Sequence, residues 1–192
     1  MLTPSFFARP TLRVARDLLG KKLVRRYRGK VLSGLITETE AYRGEDDLAC
    51  HASRGRTKRT EGLYAAPGAL YVYLIYGMYW CLNIVTERKG YPAAVLIRGV
   101  EPLEGIDAMA RNRGLLFEFI KKHSLRSFTN GPGKLCQAFG VTGALHGKPL
   151  GRDTLWIEEG MAVKPSEIER APRIGVDYAK HCAQWPWRFI LK

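Results

Sequence analysis

Three strand-forming runs in quick succession, Leu70 to Ile75, Trp80 to Thr86 and Ala93 to Arg98, constrain this chain more than any other feature. Aromatic, β-branched and other apolar residues fill them, and Tyr76-Gly77-Met78 reads as a turn between the first two. Upstream, Leu23-Val24 and Val31 to Tyr42 flank Arg28-Gly29-Lys30, a second hairpin turn. Helical patterning lies outside this block. Thr11 to Leu19 reads as a helix with Thr11 as its N-cap, an apolar stripe of Leu12, Ala15, Leu18 and Leu19, and Gly20 as its stop. Helical signals return at Leu103 to Arg111 and at Leu135 to Phe139, and the tail holds strand-like pieces at Thr154 to Glu158 and from Arg188 onward. Strands gathered in the middle with helices around them predict an α+β fold. At 192 residues the expectation is a single domain spanning 1–192, with a curved antiparallel β-sheet core flanked by short helices.

Hydrophobic residues at 46% and charged residues at 26% are globular values, which exclude a disordered or fibrous chain. No run reaches the roughly 18 apolar residues of a membrane span. Met1-Leu-Thr-Pro-Ser-Phe-Phe lacks a basic region before an apolar core, so it does not read as a signal peptide. A cytoplasmic protein is expected, nucleoid-associated if bacterial. The net charge of +13 points to a polyanionic partner, for which nucleic acid is the first choice and a merely cationic surface the alternative. Cys50, Cys81, Cys136 and Cys182 form no C-x-x-C pair, so free thiols and no metal site are expected. No dinucleotide fingerprint, G-x-S-x-G elbow, H-E-x-x-H helix or zinc-deaminase signature occurs, and no cofactor is expected.

Gly34-Leu-Ile-Thr-Glu-Thr-Glu-Ala-Tyr42 carries the most chemical information. As a regular strand it places Ile36, Glu38, Glu40 and Tyr42 on one face. One carboxylate on such a face can serve a cleft as general base; the alternative is a solvated face paired with Lys or Arg. In Leu70-Tyr-Val-Tyr-Leu-Ile-Tyr-Gly-Met-Tyr-Trp80, an aromatic core accounts for Tyr71, Val72 and Leu74. Tyr76 and Met78 beside the Gly77 turn suit stacking on bases or wedging between them instead. Asn83 interrupts an apolar run, where its amide needs a partner or lines a pocket. Arg98 ends another such run, and its guanidinium wants a carboxylate or phosphate, with Glu40 a candidate. Asn130-Gly-Pro-Gly-Lys134 precedes a helix, so backbone amides at Gly131 and Gly133, with Lys134, can hold a phosphate, although a plain turn has the same letters. Asp46 to Pro67 reads as a long basic loop carrying Arg54, Arg56, Lys58 and Arg59.

These motifs, in this order, resemble the alkyladenine (3-methyladenine, mammalian-type) DNA glycosylases. The likeness runs from Ala15-Arg-Asp-Leu-Leu-Gly20 through Glu38-Thr-Glu-Ala-Tyr-Arg-Gly44, Pro67 to Asn83, Val95 to Gly105 and Asn130 to Ala138, to Arg188-Phe189. Thr57-Lys-Arg-Thr60 is more basic than the family's usual Thr-Pro-Arg-Asn, and Leu48-Ala-Cys50 also varies. The resemblance implies a monofunctional glycosylase that flips a damaged purine out of double-stranded DNA and hydrolyses its N-glycosidic bond. Alkylated or deaminated purines of the 3-methyladenine, hypoxanthine and ethenoadenine class are its implied substrates, and an abasic site its product. It implies Glu40 as the base that activates water and Arg98 as its companion. Tyr42, His51 and Tyr73 hold the base, Leu96 lines the pocket, and Asn83 rejects the amino group of normal guanine. Tyr76, with Met78 beside it, fills the gap left in the duplex. A monomer acting on damaged DNA, with no membrane partner, is the expected state.

Overall fold

The computed structural model describes residues 1–115 and 125–192. Strands β1 (Lys22–Tyr27) and β2 (Lys30–Arg43) form the first hairpin. Its turn residues Arg28 and Gly29 have φ of 49° and 73°, the left-handed pair whose twist matches that of the flanking strands. Strands β3 (Leu70–Ile75), β4 (Tyr79–Val85) and β5 (Ala93–Glu104) follow, and β6 (Leu155–Glu158), β7 (Ile168–Ala171) and β8 (Arg188–Leu191) complete one antiparallel sheet. The strand order is β3-β4-β5-β2-β1-β6, with β8 paired to β2 and β7 outside β8. β2 is therefore the spine: its first half pairs with β1, residues 38–40 with β8, and most of its length with β5.

Short helices α1 (Pro4–Phe7), α2 (Thr11–Asp17), α3 (Ile106–Asn112), α4 (Leu125–Thr129) and α5 (Pro132–Phe139) complete the α+β architecture. Val14 and Ala15 of α2, Met109 of α3 and Leu135 and Phe139 of α5 join Leu23, Ile36, Leu82, Val95 and Ile97 of the sheet in the main core. The opposite face is covered differently. There Tyr71, Val85 and Ala94 pack on Cys50, Ala52 and Leu63 of the basic loop, and Ala49 packs on Val176, Ala179 and Cys182 of the C-terminal segment. All four cysteines are buried and free. Among the described residues no helix is long and apolar enough to cross a membrane.

Several local readings change. Thr11 is the first helical residue, not the cap; the cap is Pro10, α2 ends at Asp17, and the Thr11 hydroxyl donates to Glu87 Oε1 at 2.6 Å. β5 runs six residues beyond Arg98, so Leu103 belongs to a strand and α3 starts after Gly105. The basic loop contains 3-10 turns at His51–Arg54 and Glu61–Tyr64. Leu74 is 38% exposed and is not core.

The most consequential change concerns β2. Regular alternation puts Ile36 and Glu40 on one face, yet Ile36 lies in the helix-side core. The register shifts around Glu38: Ile36 pairs with Val100, Glu38 with Gly99 and Thr39 with Ile97, so Thr37 and Arg98 are the extra residues. An irregularity of this kind re-aims the side chains beyond it. Thr39 and Ala41 now face the helices, where the Thr39 hydroxyl donates to the Ala15 carbonyl at 2.8 Å. Glu40 and Tyr42 face the other way.

Gly34 sits where β2 crosses β5 too closely for a side chain. An added Cβ would lie 2.4 Å from Val100 Cγ1 and 2.5 Å from the Glu101 carbonyl oxygen. Gly34→Ala is expected to cost about 1–3 kcal/mol, as overpacking does. Urea unfolding followed by circular dichroism measures this; an unchanged midpoint contradicts the packing account.

Candidate active site

The loop-covered face of the sheet carries one row of side chains across four strands. Glu40 on β2 pairs with Leu96 on β5, Leu96 with Asn83 on β4, and Asn83 with Tyr71 on β3. Antiparallel partners point to the same face, so the register alone brings these four residues together. Above the row lies a cavity of about 360 Å³, within the size range of small-ligand sites. Tyr42, His51, Tyr73, Asn83, Leu96 and Arg98 all line it, as does Tyr76. Its far wall comes from Ile174, Val176 and Tyr178, and Pro132 of α5 closes one side.

Glu40 is fully buried and does not itself line the cavity, but its partners Tyr42, Arg98 and Ile174 all do. A buried carboxylate must be bonded, and three donors reach it. The Tyr42 hydroxyl donates to Oε2 at 2.6 Å, the Ile174 amide donates to Oε1 at 2.8 Å, and Arg98 Nε stands 3.5 Å from Oε1. One lone pair on Oε2 remains for a further donor such as water. The closer partner of Arg98 is Glu38: Arg98 Nε donates to Glu38 Oε1 at 3.1 Å, and Arg188 Nε donates to the same oxygen at 2.5 Å. Glu38 is thus the structural carboxylate, fixing the guanidinium that lines the cavity.

The aromatic walls hold one another. His51 Nδ1 and the Tyr71 hydroxyl are 3.0 Å apart, and the His51 ring meets the Tyr73 ring edge-on with centroids 4.5 Å apart. Burial, then the Arg59 cation, pushes the His51 imidazole below its ordinary pKa. Burial, then the Glu40 carboxylate, drives the Tyr42 phenol well above the usual tyrosine range. Tyr42 therefore stays a hydroxyl donor. Asn83 donates Nδ2 to the Tyr71 carbonyl at 3.1 Å, which fixes the orientation of its amide.

At the mouth, Tyr76 and Gly77 adopt φ of 53° and 71°, and this tight turn exposes Tyr76 and Met78 at 78% and 63%. Beside it, the Gly131 amide is already committed to the Arg98 carbonyl at 2.8 Å. Gly133 and Lys134 keep first-turn amides, which helix geometry leaves without an intrahelical acceptor. Gly133 also permits close approach of Tyr79, whose ring would meet an added Cβ at 2.9 Å. The Lys134 ammonium bonds Asn130 Oδ1 at 2.9 Å.

Sequence reasoning missed the C-terminal wall. Ile174 contributes only a backbone amide, which no residue type announces. Arg173 and Asp47 form a fully buried bidentate pair with contacts of 2.6 and 2.8 Å across 126 residues of chain. A lone Arg after Pro172 gives no local signal of such a partner.

Comparison with known proteins gives a consistent answer. The profile of the methylpurine-DNA glycosylase family matches residues 5–192. A Methanocella arvoryzae protein named "Putative 3-methyladenine DNA glycosylase" is 53% identical over 193 residues, covering 100% of this chain and 92% of its own length. Proteins of the same name from Clostridium perfringens SM101 and Bacillus cereus ATCC 14579 are 47% and 48% identical, covering 97% and 98% of this chain and 93% and 94% of theirs.

The state of His51 can be checked directly. Burial disfavours the imidazolium, so His51 is expected to titrate below about 6.5. Proton NMR of the histidine ring signals, assigned with His51→Gln, measures the midpoint; one at or above the free value contradicts the described environment.

Proposed function

The chain belongs to the methylpurine-DNA glycosylase family, and from that premise we propose that Glu40 is the general base of a base-flipping hydrolysis. As a DNA glycosylase of base-excision repair it cleaves the N-glycosyl bond of methylpurines such as 3-methyladenine. A base inside a duplex cannot enter a cavity this deep, so the damaged nucleotide rotates out and its base enters between Tyr42, His51 and Tyr73. Tyr76 takes the vacated place in the stack, with Met78 beside it, and the ring replaces part of the lost stacking. The cations of the basic loop, Lys134 and the amides of Gly133 and Lys134 meet the backbone phosphates, whereas the Gly131 amide serves Arg98.

The chemistry follows from the free lone pair on Glu40. A water there, held also by Arg98, gives its proton to Glu40 as its oxygen bonds to the sugar C1′. The C1′–N bond breaks and its electron pair leaves with the base. An alkylated purine departs as a neutral molecule, so no strong general acid is required. Electron-rich rings around the base favour a cationic purine through cation–π attraction. Leu96 packs under it, and the fixed amide of Asn83 obstructs the amino group of normal guanine. Hypoxanthine and ethenoadenine lack that group and share the pocket. Among the described residues lining the cavity none is a lysine, which supports a monofunctional enzyme that leaves an abasic site without Schiff-base cleavage.

The observation that carries this reading is a fully buried glutamate bonded by Tyr42 and Ile174, two residues that line an aromatic cavity together with Arg98. Glu40→Gln is expected to abolish release of methylpurine from methylated duplex while lesion binding persists. Retained excision removes the assignment. Tyr76→Ala is expected to weaken lesion-duplex affinity by about 1–3 kcal/mol, the worth of one stacked base. Affinity for duplex should also fall linearly in log–log form with salt, as counterion release requires. Fluorescence anisotropy between low and moderate salt tests both; flat affinity contradicts the phosphate contacts.

A further inference from the structure

We infer that Asp47 and Arg173 are positioning residues for the hydrolysis, setting the geometry of Glu40 through both of its neutral donors. The inference rests on Glu40 being the base. Neither member of the pair lines the cavity. Arg173 nevertheless reaches the base by three routes. Its Nη1 donates to the Ala41 carbonyl at 2.9 Å, pinning the backbone between Glu40 and Tyr42. Its guanidinium lies 4.8 Å from the centre of the Tyr42 ring, whose hydroxyl bonds Glu40 Oε2. Its own C-terminal neighbour supplies the Ile174 amide that bonds Glu40 Oε1. The same guanidinium also lies over the Trp187 ring at 5.1 Å, so a second aromatic side chain packs against it.

Asp47 holds this arrangement. It takes both Arg173 nitrogens and also accepts the Ala49 amide at 3.0 Å, at the entry to the turn that carries His51. The pair therefore ties together the opposing cavity walls, residues 47–51 and 173–176, with β2 between them. A buried ion pair is a poor source of net stability, because desolvation cancels most of the attraction. Fixing three segments around one carboxylate is a service that an apolar pair of equal volume cannot supply. Arg173 needs its planar fork for this; the single ammonium of lysine cannot reproduce two parallel bonds and a stacked plane.

A split between rate and affinity is the readout that packing alone would not give. A displaced Glu40 slows the hydrolysis, whereas general loosening of the walls weakens lesion binding in step with the rate. Asp47→Asn, which breaks the fork on Arg173, is expected to slow excision in the same way as Arg173→Lys.

The experiment compares wild type, Glu40→Gln, Arg173→Lys and Asp47→Asn by single-turnover excision from methylated duplex, with circular dichroism to establish folding. Folded Arg173→Lys is expected to lose about a hundredfold in rate, the order of effect of a small displacement of a reacting group. Added to Glu40→Gln, it is expected to leave lesion-duplex affinity within about a factor of three. A folded Arg173→Lys or Asp47→Asn as fast as wild type overturns the inference, as do proportional losses of rate and affinity. Loss of the fold in both variants assigns the pair to stability alone and overturns it too. If Glu40→Gln itself retains excision, the reading of the base has failed; if only Glu40→Gln is inactive, the base stands and the pair's role falls.

Discussion

A carboxylate removed from water must be surrounded by donors, and much of this molecule can be understood as the means of surrounding Glu40. Its partners come from its own strand, from β5 and from the C-terminal segment, so no single element builds the site. Around it, Glu38, Glu40 and Asp47 face Arg98, Arg173 and Arg188 in a network whose formal charges cancel. Such a balance lets several ions share a region of low dielectric, where any one alone would be strongly disfavoured. The excess positive charge of the chain lies elsewhere, on loops and surfaces free to meet phosphate.

The sheet serves two masters through one irregularity. On one side of Thr37 the even-numbered residues of β2 feed the helix-packed core; beyond Glu38 they turn to the other face, where Tyr42 lines the cavity and bonds the buried Glu40. The compensating extra residue on β5 turns that strand as well, so Ile97 and Leu96 separate cleanly into core and pocket. The swap places Arg98 beside both carboxylates. One change of phase thus gives the same two strands a hydrophobic face for folding and a second face that carries the buried carboxylate and the cavity walls.

Much of this was legible in the residue order. The two left-handed turns announced themselves through glycine, and the alternation of Tyr71, Val72 and Tyr73 gave both faces of β3. The lining residues were identified through a resemblance; the letters alone left Glu38 and Glu40 interchangeable and favoured Glu40 as the partner of Arg98. The structure makes Glu38 the tighter partner. Strict period two misplaced Ile36 relative to Glu40, because an extra residue matched by another on the neighbouring strand leaves no mark in hydrophobic pattern. Thr11 looked like a cap by type, yet its hydroxyl is claimed by Glu87, a long-range contact that local propensity does not register. Arg173 and the Ile174 amide were invisible for the same reason: their meaning arises only when chain segments more than a hundred residues apart meet.

That separation has a consequence for the protein during its manufacture. Glu40 is made early, but the amide and guanidinium groups that complete its surroundings reside at positions 173 to 188. A ribosome-bound chain that has emerged only as far as β6 carries the carboxylate without its far wall. Sheet-rich topologies with distant pairings fold slowly, since loop closure must precede the contacts that reward it. The buried carboxylate therefore acquires its full set of donors only once the C-terminal segment has been made and has packed against β2.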